Sequence, residues 1–164
     1  MIGTDISPIQ PGWVPPNARF EIDDATKPWT HPDNYFDFIY LRFMTGVIKD
    51  WDALYKEAYK HAKPGAWIEQ LDCDAGWYCF DETMPPDCAM AQWGPIWREV
   101  GRKTGLQFHV VSENTMEQGM KNAGFINVTS EDHYVRFSCR YALESMKLTP
   151  RSRFPSPPGL MIRR

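Results

Sequence analysis

Short apolar runs separated by proline-rich segments make up the first forty residues. Residues 1–5 form one apolar run, and residues 18–23 alternate between polar and apolar positions with period two, so both are predicted to be strands. Residues 35–41 are almost continuously apolar and aromatic, which is typical of a central strand covered on both faces. The segments 6–18 and 26–34 are predicted loops, because their prolines interrupt any helix.

The next segment has the pattern of a β-α-β crossover. Asp50 is a predicted N-cap for a helix over residues 51–63, which carries an apolar stripe on one side. Pro64 and Gly65 end that helix in a tight turn, and residues 66–71 form the following strand. Two strands joined through a helix pair in parallel, so the first half of the chain is predicted to be part of an open, doubly wound sheet.

A long connection interrupts this alternation of strand and helix. Residues 72–90 contain glycine, two adjacent prolines and a mixed acidic and aromatic content, as lids and binding loops often do. Within it, Trp77, Tyr78 and Phe80 form either lid packing or an aromatic substrate cage, and lid packing is the favoured interpretation. A helix over residues 90–103 follows, with tryptophans and valine on one face.

The last third of the chain contains a shorter helix and a terminal strand. Asn114 is a predicted cap for a helix over residues 115–122, which Gly124 ends in a left-handed conformation. Residues 125–135 are a predicted terminal strand, antiparallel to the sheet. Residues 136–164 lack a periodic apolar face and are expected to be a poorly ordered, irregular tail. The predicted fold class is α/β, with a partial Rossmann-like, mostly parallel sheet in a domain over residues 1–135.

Composition narrows the functional classes. A length of 164 residues fits one domain, and a net charge of −3 with scattered Lys and Arg argues against nucleic-acid binding. No apolar run is long enough to span a membrane and no signal peptide is recognisable, so a cytoplasmic or nuclear protein is expected. The four cysteines form no C-x-x-C pair, which argues against a zinc site.

Asp5 is the first candidate for chemistry. A carboxylate that closes a buried strand in an α/β fold often accepts hydrogen bonds from the two hydroxyls of a ribose. The glycine-rich loop that normally precedes such a strand is absent from these residues. Asp5 is alternatively a turn-forming carboxylate, and the Asp23-Asp24 pair is alternatively a solvated end of a strand.

Four motifs occur in an order that resembles a known family. The chain is similar to class I S-adenosylmethionine-dependent methyltransferases over roughly residues 1–135, and more narrowly to the fungal branch related to the secondary-metabolism regulator LaeA. The motifs are Gly-Thr-Asp5-Ile-Ser-Pro, Phe20-Glu-Ile-Asp-Asp24-Ala25, Tyr35-Phe-Asp37-Phe-Ile, and His61-Ala-Lys-Pro64-Gly65 leading into Trp67-Ile-Glu69.

The resemblance implies a cofactor, S-adenosylmethionine, and a role for each matching residue. Asp5 would accept hydrogen bonds from the ribose, and Asp24 with the backbone of Ala25 would meet the adenine amino group, whose ring Trp29 or Ile22 would cover. Tyr40 and Arg42 lie just past a strand end, where such folds place the methionine moiety and the methyl acceptor. Arg42 is alternatively a surface ion-pairing residue, and Asp37 is interpreted as structural.

The resemblance also defines what the chain lacks. The family binds the methionine portion of its cofactor with a first strand and a glycine-rich loop, so we expect this chain to bind S-adenosylhomocysteine weakly or not at all. A sheet without that central strand exposes an edge that a protein partner would cover. Two alternatives to an enzyme fragment stay open: a non-catalytic remnant that serves as an interaction module, and a fragment of an NAD(P)-dependent oxidoreductase.

Overall fold

The fold is a mixed α/β arrangement in which strands precede and follow one crossover helix. The computed structural model describes residues 1–80, 83–136 and 159–163. The elements in chain order are β1 (Ile2–Asp5), β2 (Arg19–Ile22), β3 (Phe36–Arg42), α1 (Trp51–His61), β4 (Ala62–Cys73), α2 (Ala89–Thr104), α3 (Thr115–Ala123), β5 (Asp132–Arg136) and β6 (Gly159–Arg163).

The strands form two separate sheets. β1 and β2 make a two-stranded parallel sheet in which Asp5 lies opposite Ile22. The second sheet has the order β3-β4-β6-β5, with β3 and β4 parallel and β6 antiparallel to both of its neighbours. The predicted fold class, a mostly parallel α/β sheet with an antiparallel terminal strand, is confirmed.

The crossover β3-α1-β4 also forms as predicted, with the helix beginning where the sequence indicates. Asp50 is the N-cap, and its side chain accepts a hydrogen bond from the backbone N–H of Ala53 at 2.8 Å. Local chemistry determines this helix start, because the carboxylate satisfies a backbone donor that has no partner within the helix.

The predicted Pro-Gly turn between helix and strand is wrong. α1 ends at His61 and β4 begins at once, so Pro64 and Gly65 lie inside the strand. The register of β4 against β3 shifts there, and Gly65 has a φ of +82°. Proline cannot donate to the ladder and glycine accepts a left-handed backbone, so the pair forms an irregular bulge within the strand.

The two later helices match the prediction, although one cap does not. Cys88, which we did not predict, is the N-cap of α2, and its Sγ accepts from the backbone of Ala91 at 3.4 Å. Asn114 is the N-cap residue of α3, as predicted, but it has a φ of +57° and its side chain makes no cap hydrogen bond. Its left-handed backbone departs from the extended conformation that an N-cap requires. Gly124 ends α3 in the left-handed region, as predicted.

The last predicted strand is shorter than the sequence pattern indicates. β5 begins only at Asp132, because Phe125 and Val128 pack against the core and are not part of a ladder. β6 lies in the segment for which we predicted no element, so that expectation is wrong for residues 159–163. The rest of the expected tail, residues 137–158 and 164, lies outside the described residues.

The core lies on one side of β3 and β4 only. Ile39 and Leu41 are buried against the helices, whereas Phe38 and Tyr40 on the other face of β3 are 53% and 46% exposed. The prediction that both faces are covered is therefore wrong, because no described element packs on that side. The buried apolar residues are Ile39, Leu41, Ile48, Trp51, Leu54, Tyr55, Ala58, Ala62, Val110, Val111, Met116 and Met120.

Helices α1 and α3 pack closely across this core. The ring of Tyr55 in α1 lies directly on Gly119 of α3, where a Cβ would come within 2.5 Å of the ring. Tyr55 is fully buried and its hydroxyl donates to Oε1 of Gln70 in β4 at 2.5 Å.

Within the described residues, no helix combines the length and the apolar character needed to cross a bilayer.

Candidate functional site

The carboxyl ends of β1 and β2 bring two predicted carboxylates to the same edge. Asp5 is the last residue of β1, and its backbone oxygen accepts from the N–H of Asp23 at 3.1 Å, one residue before Asp24. Oδ1 of Asp5 accepts from the N–H of Ser7 at 2.8 Å. Asp5 therefore closes a turn, while its Oδ2 accepts no hydrogen bond from the described residues.

Asp24 is held in a similar turn. Its Oδ1 accepts from both the backbone N–H and the hydroxyl of Thr26, at 2.9 Å and 2.7 Å. These hydrogen bonds, the one from the hydroxyl first, hold the pKa of Asp24 below its usual value, so the carboxylate is ionised at neutral pH. The turn-forming alternative thus describes one oxygen of each aspartate, and no described residue donates a hydrogen bond to the second oxygen of either.

The residues predicted to contact the adenine together with Asp24 are Ala25, Trp29 and Ile22, and they differ in whether the protein already engages them. The carbonyl of Ala25 accepts from the indole N–H of Trp29 at 3.2 Å. Trp29 itself stacks on His61 and meets Phe36 edge to face, so its ring is engaged with the protein. Ile22 is 66% exposed at the end of β2, so of the two candidates for covering an adenine ring only Ile22 presents an unengaged side chain.

Tyr40 and Arg42 lie on the exposed face of β3. Arg42 ends the strand, and its guanidinium carbon lies 4.8 Å from the centre of the Phe43 ring. Among the side chains that the structure describes, Arg42 makes no ion pair, so the surface ion-pair alternative has no partner in this part of the chain. No described contact joins Tyr40 or Arg42 to Asp5 or Asp24; the predicted residues form two groups, one on each sheet.

Sequence reasoning missed a buried carboxylate, Asp72, at the carboxyl end of β4. Asp72 is fully buried and binds the loop after β3 to the strand. Its oxygens accept from the backbone N–H groups of Met44, Thr45 and Cys73 at 2.8, 3.1 and 3.1 Å, from Nε2 of Gln70 at 3.1 Å, and from the Thr45 hydroxyl. A carboxylate with this many donors is saturated, so it orders the loop and is not available as a general base.

A second buried carboxylate, Asp74, connects the loop after β4 to the turn that precedes α3. It accepts from the backbone N–H of Val111 at 2.8 Å, from that of Ser112 at 3.0 Å, and from the Tyr78 hydroxyl at 2.8 Å. Burial, together with this carboxylate, raises the pKa of Tyr78 to about 12. Tyr78 is therefore a neutral structural donor at physiological pH, in agreement with the lid-packing interpretation.

An aromatic cavity of about 360 Å³ opens beside Asp72, at the carboxyl ends of β3 and β4. Its lining combines four aromatic rings with small and polar residues: Phe43, Thr45, Asp72, Cys73, Ala75, Trp93, Trp97 and Phe108. Burial, and then the nearby Asp72 and Asp74, raise the pKa of the Cys73 thiol to about 11, so it is neutral at pH 7. The sequence signal is Asp-Cys-Asp at the end of β4, where the predicted long connection over residues 72–90 begins.

Most of the chain is similar to known proteins. A family model described as "Methyltransferase domain" matches residues 1–130, so the chain belongs to the methyltransferase domain family. The methyltransferase pytC of Aspergillus terreus is 39% identical over 131 residues, which are 79% of this chain and 39% of that protein. The secondary metabolism regulator LAE1 of Cochliobolus heterostrophus is 34% identical over 130 residues, 78% of this chain and 42% of the relative.

Solved structures agree on the fold. The structure of an S-adenosylmethionine dependent methyltransferase from Mesorhizobium loti aligns with a TM-score of 0.51 at 16% identity, covering 99% of this chain and 78% of that chain. The predicted resemblance to the LaeA-related methyltransferases is confirmed, and membership of the family implies S-adenosylmethionine as cofactor and a methyl acceptor. The chain spans about two fifths of the length of the curated relatives it matches.

Proposed function

We propose that this chain takes part in S-adenosylmethionine-dependent methyl transfer to a small-molecule or protein acceptor, and that it supplies the nucleoside half of the cofactor site. The observation that carries the proposal is that Asp5 ends β1 opposite Ile22, the last residue of β2, and that Asp24 follows two residues later at the same edge. Ligands of open α/β sheets bind outside the carboxyl ends of the strands, which is the edge these carboxylates occupy.

Each carboxylate has a separate role in this proposal. Oδ2 of Asp5 accepts from the ribose hydroxyls, while its Oδ1 stays bound to the Ser7 N–H. Oδ2 of Asp24 accepts from the adenine amino group beside the Ala25 backbone, and Ile22 covers the ring. An ionised acceptor makes hydrogen bonds that are stronger than neutral ones, so two such contacts fix the nucleoside in one orientation.

Tyr40 and Arg42 are proposed to serve the other end of the cofactor. Their position at the end of β3 supports this assignment, and Arg42 has a planar cation suited to a carboxylate. The bound cofactor would supply an electrophilic methyl group, so the residues of the chain need only orient the reactants and exclude water.

Adenosine tests the nucleoside site directly, because it contains the ribose and adenine but no methionine portion. We expect saturation-transfer NMR to detect adenosine on the 164-residue chain. Asp5→Asn should weaken the binding of adenosine, yet leave the binding of 2′,3′-dideoxyadenosine unchanged. Asp24→Asn should remove the preference for adenosine over inosine, which lacks the 6-amino group. Each loss should be about tenfold to a hundredfold, from the worth of a hydrogen bond to a charged group.

Asp37→Asn is the matched control for both variants. Asp37 is an exposed aspartate on β3 that pairs with Lys63 at 2.8 Å, and it lies outside the proposed site. Replacing Asp37 should leave the binding of each of these ligands unchanged. Equal losses from Asp37→Asn, or unaltered adenosine binding by Asp5→Asn and Asp24→Asn, would refute the assignment.

S-adenosylhomocysteine tests how much of the site these residues supply. The chain has no Gly-x-Gly sequence to approach the methionine portion closely, so we propose that this ligand binds no more than a few-fold tighter than adenosine. Isothermal titration compares the two ligands, and a micromolar affinity for S-adenosylhomocysteine alone would contradict the proposal.

The NAD(P) and non-catalytic alternatives are not favoured, since the matching family model and the relative pytC are described as methyltransferases. A protein partner is proposed to cover the edge strand β3 and the outer face beside it, where Phe38 and Trp67 are 53% and 71% exposed. Sedimentation velocity tests this, because self-association that Trp67→Lys abolishes would identify a second copy as the partner.

A cytoplasmic or nuclear location also stays a proposal, which fluorescence microscopy of a tagged chain would test.

A further inference from the structure

His61, the last residue of α1, is a buried histidine whose two ring nitrogens both face acceptors. Nδ1 lies 3.0 Å from the backbone oxygen of Pro32, and Nε2 lies 3.1 Å from Oε2 of Glu57. The His61 side chain is 1% exposed, so it has almost no contact with solvent that could replace a missing partner. A carbonyl and an ionised carboxylate only accept hydrogen bonds, whereas a neutral imidazole has a single N–H to donate. Both contacts are therefore satisfied only when the pair of His61 and Glu57 holds one added proton.

The surroundings of the ring favour a positive charge on it. His61 ends α1, and the partial negative charge at the C-terminus of a helix attracts cations. The indole of Trp29 stacks on the imidazole, with ring centroids 5.6 Å apart and planes inclined by 17°. The face of an indole attracts a cation at that distance, so the added proton is stabilised on the imidazole.

The other charged groups of the neighbouring elements are paired elsewhere. Lys60 of α1 pairs with Asp33 of the loop between β2 and β3, at 3.6 Å. Lys63 of β4 pairs with Asp37 of β3, at 2.8 Å. Among the residues that the structure describes, Glu57 supplies the ion pair of the ring. The charge of the ring therefore depends on this one carboxylate.

The ring of His61 holds the loop between β2 and β3, residues 23–35, which carries the adenine side of the proposed nucleoside site. Pro32 and Trp29 both belong to this loop, so the ring contacts it at two points. The indole N–H of Trp29 donates to the carbonyl of Ala25 at 3.2 Å, and Ala25 directly follows Asp24 in the chain. A single hydrogen bond thus connects the side chain that stacks on the imidazole to the residues proposed to meet the adenine.

We propose that His61 is a positioning residue that, as an imidazolium, fastens the loop between β2 and β3 to α1, so that nucleoside binding at Asp24 and Ala25 weakens as pH rises. The coupling to nucleoside binding rests on the proposed function, whereas the fastening of the loop rests on the contacts of the ring. Loss of the proton directs a lone pair of one ring nitrogen at an acceptor oxygen, and the two repel each other in a buried environment.

The sign of the pH dependence follows from which state binds the proton. The fastened loop is the protonated state, so the fastening is strongest at low pH and is lost as pH rises. Histidine is the side chain whose charge changes between about pH 5 and about pH 8, which makes about pH 6 and about pH 8.5 the two conditions to compare.

Nitrogen-15 NMR of the full 164-residue chain observes the ring directly. At about pH 6 both ring nitrogens of His61 should carry protons, and at about pH 8.5 one N–H should be lost. The indole N–H signal of Trp29 should shift along the same titration curve, because the two rings are stacked. A neutral His61 ring at about pH 6, or a Trp29 signal that does not follow the ring, would overturn the proposal.

Adenosine binding should follow the same curve. We expect the Kd of adenosine, measured by NMR titration, to rise about two- to tenfold from about pH 6 to about pH 8.5, which is the worth of one hydrogen bond. Binding that stays constant while His61 titrates would refute the coupling and leave the nucleoside site in place. Absence of adenosine binding at both pH values would refute the proposed function and the coupling with it, and the ring signals would still decide whether His61 fastens the loop.

Glu57→Gln distinguishes a proton-dependent role from a merely structural one. The Gln amide donates to the neutral Nε2 while Nδ1–H still donates to Pro32, so the loop should stay fastened at both pH values. We expect Glu57→Gln to bind adenosine within about threefold of the unsubstituted chain at about pH 6, and to show no further loss at about pH 8.5. The Glu57 side chain is 26% exposed, so this variant should fold. A pH dependence that survives in Glu57→Gln would contradict the role of this pair.

Two other histidines are the matched controls, because each also lies beside a glutamate. His31 of the same loop pairs with Glu21 of β2 at 3.3 Å, and His133 of β5 pairs with Glu131 at 3.6 Å. His31→Gln and His133→Gln should each keep the pH dependence of adenosine binding and the ring signals of His61. Loss of that dependence in either variant would assign it to the substituted histidine and refute the role of His61. Circular dichroism at both pH values confirms that each variant is folded.

Discussion

Replacing Asp72 with asparagine tests whether one buried carboxylate organises the carboxyl end of the β3–β4 sheet. The substitution preserves the size of the side chain and changes one oxygen into an NH2 donor. If the NH2 takes the place of Oδ2, the donors of Met44 and Gln70 lose their acceptor. If the NH2 takes the place of Oδ1, the two donors of Thr45 and the N–H of Cys73 lose their acceptor.

At least two buried donors are therefore left without an acceptor in either orientation. Each such loss costs about 1–3 kcal/mol, so we expect the free energy of unfolding to fall by about 2–6 kcal/mol. This is a large fraction of the roughly 5–15 kcal/mol by which a domain is stable. Equilibrium urea denaturation, followed by circular dichroism, measures the difference from the unsubstituted chain.

Asp37→Asn is again the control, because this aspartate is 82% exposed in its side chain and forms only a surface ion pair. We expect Asp37→Asn to cost at most about 1 kcal/mol. If Asp72→Asn costs less than about 1 kcal/mol, or no more than Asp37→Asn, the loop after β3 does not depend on this carboxylate and the reasoning is refuted.

Two further predictions concern packing and pH. Gly119→Ala should cost about 1–3 kcal/mol in thermal unfolding, because its methyl would meet the buried Tyr55 ring, while Gln118→Ala on the exposed side of α3 should be nearly neutral; equal effects would contradict the close approach. Stability should fall as pH rises from about 9 to about 11, since the unfolded Cys73 thiol ionises near its ordinary pKa of 9 and the folded one only near 11. Cys73→Ala should flatten that decline in urea titrations at stepped pH, and an unchanged slope would assign it to other groups.

Elements set by local chemistry were predictable from the sequence. The Asp50 cap, the glycine end of α3 and the β3-α1-β4 crossover each depend on a few neighbouring residues. The bulge at Gly65 and the strand β6 were not predictable, because they depend on pairing with distant segments. The hydrophobic pattern of β3 also gave a wrong prediction of burial. A continuous apolar run identifies a strand, but it does not indicate which of its two faces is covered.

The candidate site divides in the same way. Asp5 and Asp24 could be placed at one edge because parallel strands end together, and a strand end is visible in sequence. The aromatic cavity could not be predicted, since its rings come from positions 43, 93, 97 and 108 and meet only through tertiary packing. Asp72 was hidden for a related reason: its donors lie nearly thirty residues earlier, beyond any local motif.

The separation of the β1–β2 sheet from the rest has a consequence for how ligand binding is detected. The structure places no buried residue before Ile39, so β1, which ends at Asp5, and β2, which leads to Asp24, contribute little to the cooperative unit formed around α1. Amides in those two strands should exchange with solvent through local opening, well below the free energy of global unfolding. Occupancy of the nucleoside edge would then slow their hydrogen exchange selectively, while leaving the melting temperature of the α1 unit almost unchanged.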